Sequence, residues 1–164
     1  ITLVPLTLAQ LEMGLRSIKE LAIDLDISLV ETLMDGAVER AVMMKIEKMG
    51  AVPVVLHNWY TYWLIVITAE DIGAGLIGFK GSPNDAGEVE IGYGIHPVFQ
   101  GLGYTTEAVQ QLTTWAFAYP GCKAITATGV LPDNYPSLKV LIKTGFIETG
   151  SDAAGLSFRK ERSI

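Results

Sequence analysis

Apolar residues recur at helical spacing in the first third of the chain. Thr7 is a suitable N-cap for a first helix, because its hydroxyl can accept from an unpaired amide of the first turn. The apolar positions of this helix follow at intervals of three or four: Leu8, Leu11, Leu15 and Ile18. A second helical pattern runs from Leu29 to Met49 and stops at Gly50. Two helices are therefore predicted before the first strand.

From residue 60 the apolar pattern changes to the period of two that is typical of strands. The predicted strands are Tyr60–Thr68, Gly75–Gly81, Glu88–Ile95, Lys123–Val130, Phe146–Thr149 and Leu156–Lys160. Two further helices, Thr105–Ala118 and Pro136–Thr144, lie between them, and Gly145 follows the second as a C′ residue. The order α-α-β-β-β-α-β-α-β-β predicts an α/β (α+β) fold, in which helices cover the faces of a mixed sheet.

In the third predicted strand, Glu88–Ile95, large apolar residues alternate without exception with glutamates and glycines. Val89, Ile91, Tyr93 and Ile95 fall on one face, and Glu88, Glu90, Gly92 and Gly94 fall on the other. The two carboxylates therefore share a face with two glycines that leave it bare. This face is a plausible floor for a cleft.

Composition limits the class of protein. The chain has 164 residues, 49% of them hydrophobic, which predicts a single domain over residues 1–164. The single Cys122 excludes an internal disulfide framework. No apolar run reaches the ~18–20 residues of a membrane span, and no signal-peptide pattern opens the chain, so no membrane partner and a cytoplasmic location are expected. A net charge of −6 argues against a nucleic-acid partner.

The segment from Ile95 to Ala108 is the first that carries chemistry. A buried strand enters a glycine-rich turn that opens a helix, so unpaired amides and the helix dipole can bind an anion. A P-loop would need a lysine after Gly103, and a Rossmann turn would need a glycine in place of Thr106. The alternatives left open are a turn that resembles the acyl-CoA turns of a known family and a bare strand–helix connection.

A second segment favours the first alternative. Gln100, Gly103 and Thr105 stand at the fixed positions of an acyl-CoA turn, Gln/Arg-x-x-Gly-x-Gly/Ala, where Thr105 departs from the usual Gly/Ala. One strand later come Asn-x-x-Ser, from Asn134 to Ser137, and Lys-x-Gly-Phe, ending at Phe146. With Glu-Ile-Gly-Tyr upstream, this set resembles the GNAT superfamily of N-acetyltransferases. It is most similar to the branch that includes ribosomal-protein N-terminal acetyltransferases.

The resemblance covers about half of the chain, from Trp63 to Phe146. It implies a GNAT-like, largely antiparallel sheet of about six or seven strands with about four helices, and acetyl-CoA as cosubstrate without a metal. The acceptor would be the amine of a small molecule or of a peptide, and a homodimer would be in keeping with a family that often dimerises. The residues that would bind the cosubstrate are Ile95, Gln100, Gly101, Leu102, Gly103, Tyr104, Thr105, Asn134 and Ser137.

Acetyl transfer needs a neutral amine, and deprotonating a lysine-like amine at pH 7 costs about 4–5 kcal/mol, against about 1 for an α-amine. Glu90 is the first candidate for the base and Glu88 the second; the alternative is that both are solvated surface carboxylates. The tyrosine that many family members use as general acid corresponds to Leu141 here, which makes Ser137 the better candidate and Tyr135 the fallback. The missing tyrosine leaves a second function open, a catalytically silent module that binds acyl-CoA or regulates.

Overall fold

In the computed structural model, which describes residues 1–163, helices lie on both faces of one eight-stranded sheet. The strands are β1 Thr2–Pro5, β2 Ser28–Leu29, β3 Tyr62–Ile67, β4 Ile72–Phe79, β5 Glu88–Ile95, β6 Ala124–Val130, β7 Ile147–Asp152 and β8 Gly155–Glu161. The α-helices are α1 Leu8–Arg16, α2 Ile18–Leu25, α3 Ala37–Gly50, α4 His57–Tyr60, α5 Tyr104–Phe117 and α6 Tyr135–Lys143.

The sheet is mixed and largely antiparallel, as the sequence predicts. Its order is β1-β3-β4-β5-β6-β8-β7, and the short β2 lies beside β4. Only the β2–β4 and β5–β6 pairs are parallel among the strands described. The predicted fold class is therefore confirmed, with two strands, β1 and β2, that the sequence pattern did not indicate.

Each face of the sheet has its own core. Strand alternation sends Leu64 toward α1, α2 and α3, and Ile65 toward α5 and α6. Both side chains are fully buried. The central strands are therefore covered on both sides, which explains why β3 and β4 read as nearly continuous apolar runs.

The two halves of the sheet meet at β5 and β6. These strands are paired only from Glu88–Glu90 to Ala124–Thr126, and they diverge beyond that point. The C-terminal half of β5 therefore keeps β4 as a neighbour on one edge but has no paired strand on the other. The candidate site is built in this gap.

The predicted helix from Leu29 to Met49 is wrong in its N-terminal part. Leu29 belongs to β2, and α3 begins at Ala37, after Gly36 with a positive φ of 60°. The apolar residues between them lie in a turn that packs onto the core: Leu33 and Met34 are only 6% and 4% exposed. Their spacing is that of a helix, but packing against the core holds this segment in a turn.

The first predicted helix is divided at Ser17. This residue has an extended backbone, with φ −160°. Its hydroxyl accepts from the amide of Glu20, so Ser17 is the N-cap of α2. Thr7 caps α1 as predicted, in a capping box with Gln10.

Candidate functional site

The gap between β5 and β6 exposes unpaired main-chain groups. The amide of Lys80 donates to the carbonyl of Glu90 at 2.9 Å, and the amide of His96 donates to the carbonyl of Ala74 at 2.8 Å. The main-chain hydrogen bonds to β4 are therefore made by the even-numbered residues of β5. The amides of Tyr93 and Ile95 therefore point to the other edge. Among the residues described, β6 pairs with nothing in β5 beyond Glu90, and these two N–H groups face the gap.

The glycine turn lies at the end of the same strand. Gly101 and Gly103 have φ of +76° and +88°, and a Cβ at either position would meet no atom within 4 Å. The helix α5 starts at Tyr104 with no side chain capping it. Its first amides are free to bind an anion, and the helix dipole favours negative charge there. The open glycines let a phosphate approach the backbone closely.

The turn forms one wall of a cavity of about 510 Å³, which we call the turn cavity. Its lining consists of the end of β5, the turn, the start of α5 and one face of α6: Tyr93, Gly94, Ile95, Phe99, Gln100, Gly101, Gly103, Tyr104, Thr105, Thr106, Asn134, Pro136, Ser137, Lys139, Val140 and Lys143. The Gln100 side-chain amide donates to the carbonyl of Ile95 at 3.3 Å and fastens the turn to the strand. Asn134 accepts from the amide of Ser137 at 3.3 Å and caps α6.

Two lysines give the turn cavity a positive wall. Lys139 and Lys143 are four residues apart on α6 and therefore share a face, and no carboxylate lines this cavity among residues 1–163. The cavity is thus suited to a polyanion, although the whole chain is acidic. Sequence reasoning missed this pair, although the spacing of four next to the Asn-x-x-Ser segment was a usable signal.

A second cavity of about 360 Å³, which we call the helix cavity, lies between α3 and the opposite face of the sheet. Its lining comes from the segment before α3, from α3, β3, β4 and β5, and from the two residues after β5: Val30, Thr32, Leu33, Ala37, Val38, Ala41, Tyr62, Ala74, Gly75, Leu76, Gly92, Tyr93, Gly94, Ile95, His96 and Pro97. Three residues, Tyr93, Gly94 and Ile95, line both cavities. The two cavities therefore meet at the gap.

The backbone does not require glycine at the two β5 positions that face the helix cavity. Neither Gly92 nor Gly94 has a positive φ, and an added Cβ would meet no atom within 4 Å. Gly75, across the strand pair, differs because a Cβ there would lie 2.9 Å from the Cα of Ile95. Gly92 and Gly94 therefore keep space open where the cavities meet.

The predicted binding residues gather at the turn cavity with one exception. Ile95, Gln100, Gly101, Gly103, Tyr104, Thr105, Asn134 and Ser137 all line it. Leu102 does not, and its side chain is 61% exposed to solvent.

The two predicted bases lie away from both cavities. Glu90 is paired with Lys80 and accepts from the hydroxyl of Thr128 at 2.7 Å, and Glu88 is paired with Arg159. Gly94 is four residues from Glu90, about 13 Å along the strand at ~3.3 Å per residue. The expected cleft floor is thus formed by the glycines and not by the carboxylates.

Three hydroxyl groups are candidates for the general acid: the sequence predicted two of them, and the structure adds a third. Ser137 lines the turn cavity, whereas Tyr135 lines neither cavity and is 67% exposed. Tyr93, which alternation places on the same face as Val89 and Ile91, lines both cavities, and its phenol donates to the carbonyl of Ser137 at 3.4 Å. Burial raises the pKa of Tyr93 to about 12, so this phenol keeps its proton at neutral pH. Leu141 is fully buried in the core.

A buried lysine lies beside the helix cavity. The ammonium nitrogen of Lys45 donates to the carbonyl oxygens of Phe79, at 2.6 Å, and Tyr60, at 3.2 Å, and it lies 4.3 Å from the centre of the Tyr62 ring. Burial, with smaller contributions from the charges of Lys48 and Lys80, lowers the pKa of Lys45 to about 7. Lys45 thus holds the ends of β3 and β4 together under the Tyr62 ring.

Within residues 1–163, no three His, Cys, Asp or Glu side chains are grouped so that they could hold a metal ion. No helix in the same range has the length and apolar character needed to cross a membrane.

Comparison with known proteins gives one family. The model of the acetyltransferase (GNAT) domain matches residues 34–147. An uncharacterized N-acetyltransferase of Bacillus subtilis (strain 168), YjdG, is 38% identical over 85 residues, 52% of this chain and 50% of its own. A second uncharacterized N-acetyltransferase, p20 of Bacillus licheniformis, is 34% identical over 86 residues, 52% of this chain and 48% of its own. The chain thus spans about half the length of these curated relatives.

A solved structure shows the same fold at lower identity. A ribosomal L7/L12 alpha-N-protein acetyltransferase in complex with coenzyme A superposes with a TM-score of 0.66 at 18% identity, over 97% of this chain and 92% of that one. At this identity the likeness extends to the fold alone.

Proposed function

Because the chain belongs to the GNAT acetyltransferase family, we propose that it transfers an acetyl group from acetyl-CoA to a primary amine. The observation that carries the proposal is the meeting of the two cavities at Tyr93, Gly94 and Ile95. A thioester and an amine that enter from opposite faces of the sheet would come together there.

The turn cavity fits the phosphates of CoA. The free amides at the start of α5, the open glycines and the wall of Lys139 and Lys143 all favour a polyanion. Bound there, acetyl-CoA would supply an activated acyl group on a thiol leaving group. The helix cavity then serves for the acceptor.

The main chain of β5 offers the donor that the reaction needs. The amine nitrogen attacks the thioester carbonyl carbon, the C–N bond forms and the C–S bond breaks, and one proton leaves nitrogen while one reaches sulfur. The free N–H of Ile95 is available to the carbonyl oxygen as negative charge develops on it. The carbonyl of the same residue is engaged by Gln100, which holds this part of the strand in place.

For the two protons we propose Glu90 and Ser137, as the sequence predicts. The ~13 Å from Glu90 to Gly94 along the strand is more than one bridging water spans, so Glu90 would act through a chain of waters. Tyr93 supports Ser137, because its protonated phenol lies beside it at the meeting point. Tyr135 is less suited to the role, since it lines neither cavity.

The core clusters on the two faces pack on one sheet, which supports a single acetyltransferase domain over residues 1–164. A cytoplasmic location and a homodimer remain predictions from the sequence.

The direct test measures thiol release from acetyl-CoA with a set of amines, together with the thermal shift that acetyl-CoA causes. Ligand at about 100 times its Kd stabilises a protein by roughly 2.7 kcal/mol, so a shift of several degrees is expected. Binding without turnover on any peptide, small amine or antibiotic would favour the silent module instead. If millimolar acetyl-CoA causes no thermal shift, both the proposed acetyl transfer and the silent acyl-CoA-binding module are wrong.

Glu90→Gln tests the base. If Glu90 takes the amine proton, the rate at pH 7 should fall by roughly 10²–10⁴-fold, and the loss should shrink as pH approaches the pKa of the amine. Glu88→Gln is the matched control, since Glu88 is on the same face and is also ion-paired. Full activity of both variants would assign deprotonation to solvent or to another residue.

A further inference from the structure

The wall of the helix cavity, where the acceptor would bind, carries no formal charge. Among residues 1–163, no Asp, Glu, Lys or Arg lines it. Most of its wall is aliphatic, including Val30, Leu33, Val38 and Leu76, and its polar groups are hydroxyls and the imidazole of His96. Burial raises the pKa of the Tyr62 phenol as well as that of Tyr93, so both rings stay neutral.

The acidic residues next to the wall along the chain do not change this. Glu31 lies between Val30 and Thr32, and Glu39 follows Val38, but both are exposed and neither lines the cavity. The basic side chain in the described wall is His96, which offers no negative charge to a second cation. An acceptor with an additional ammonium group would therefore bury that charge without a counter-charge, which is unfavourable.

The size of the cavity points the same way. About 360 Å³ is near the lower end of the range of ligand sites, ~300–1,000 Å³. It is sufficient for one apolar side chain of moderate length with its amine at the Gly94 end. The bare surface of Gly92 and Gly94 leaves a path from this space to the gap.

We infer that the acceptor is a weakly basic primary amine with an apolar substituent and no second positive charge. An α-amine that carries an aliphatic or aromatic side chain has this chemistry; a polyamine or an aminoglycoside does not. The α-amine also costs only about 1 kcal/mol to deprotonate at pH 7, which suits a cavity without a carboxylate. The inference rests on the proposed function, because it names the substrate class of the same site.

The test compares norleucinamide with lysinamide, which has the same four-carbon side chain with an added ammonium group. The Nα-acetylated product is measured by mass spectrometry at a fixed pH with saturating acetyl-CoA. We expect kcat/KM for norleucinamide to exceed that for lysinamide by at least about 10-fold, because the ammonium group loses solvation in the cavity. Equal use of both amines, or a preference for lysinamide, would overturn the inference.

Ala41→Glu places a carboxylate in the wall of the cavity. It should lower the norleucinamide-to-lysinamide ratio by at least about 10-fold. Met44→Glu is the control, since it adds the same charge to the same helix at an exposed residue outside the wall. An unchanged ratio in Ala41→Glu would contradict the inference. If that variant does not fold, Ala37→Glu is measured and judged in the same way, because it lies in the first turn of α3, where a carboxylate is favoured by the dipole.

The outcomes separate the two proposals. Thiol release with lysinamide preferred would defeat the substrate class and leave acetyl transfer standing. An acetyl-CoA thermal shift without thiol release from any amine would defeat the proposed transfer and the substrate class with it.

Discussion

Gly94→Val should make the protein more stable and nearly inactive. Gly94 has no positive φ, and a Cβ there meets no atom within 4 Å, so the folded backbone accepts a residue with a Cβ at this position. Replacing glycine in a strand removes its conformational cost of roughly 0.5–1 kcal/mol, and valine is a favoured strand residue. In a domain of this size, that gain raises Tm by about 1–4 °C.

The same side chain would occupy the place where the two cavities meet. Productive transfer needs the amine and the carbonyl carbon about 3–3.5 Å apart, and a displacement of 1 Å can cost about 100-fold. We therefore expect kcat/KM for the amine to fall by about 100-fold or more. Thermal unfolding and thiol release, measured on the same preparation, give both quantities.

Gly75→Ala is the matched control for the stability part. Its added Cβ would approach the carbonyl of Gly94 and lie 2.9 Å from the Cα of Ile95, so the strands must move apart. Such overpacking costs about 1–3 kcal/mol, and Tm should fall by several degrees. A fall of similar size in Gly94→Val would show that Gly94 is structural. A stable Gly94→Val variant with full activity would refute the placement of the reaction at this point.

Three further predictions concern cosubstrate binding and pH. Gly103→Val should abolish the thermal shift caused by acetyl-CoA at a stability cost of about 1–2 kcal/mol, since valine resists the φ of +88°; Leu102→Val, at the exposed neighbour, should keep the shift. The double variant Lys139→Gln/Lys143→Gln should raise the Kd of acetyl-CoA by about 3- to 30-fold and reduce its salt dependence, and an unchanged Kd by calorimetry would contradict the lysine wall. Because the folded state lowers the pKa of Lys45 to about 7, the unfolded chain binds the extra proton between pH 7 and 10.5. The free energy of unfolding should therefore rise with pH in this window by at most about 1.4 kcal/mol per unit and be flat below it, relative to Lys45→Met in urea titrations.

Strand β5 was predictable because its information is local. Strict alternation from Glu88 onward and Pro97 after it define the bounds that the structure has. The glycine turn and the cap of α6 were predictable for the same reason, since a cap or a turn depends on a few consecutive residues. Alternation also placed Tyr93 on one face with Val89 and Ile91, and it does pack against their core cluster, but alternation did not indicate that Tyr93 lines the gap as well.

The divergence of β5 from β6 explains that difference. The pairing stops after Glu90 and Thr126, and no local pattern in either strand marks this point. The helix cavity could not be predicted either, because its walls come from residues 30–41, 62, 74–76 and 92–97. Contacts between such distant segments are set by the packing of α3 on the sheet, and α3 itself was predicted to start too early.

The two sides of the gap differ in how substitution can alter them. The N–H of Ile95 belongs to the main chain, so among single substitutions at this position only proline removes the donor itself. The wall of the helix cavity consists largely of side chains, each of which one codon change can enlarge, shorten or charge. Under the proposed function, a few substitutions in that wall would be enough to change the acceptor, whereas the main-chain donor would be kept by every single variant at this position except proline.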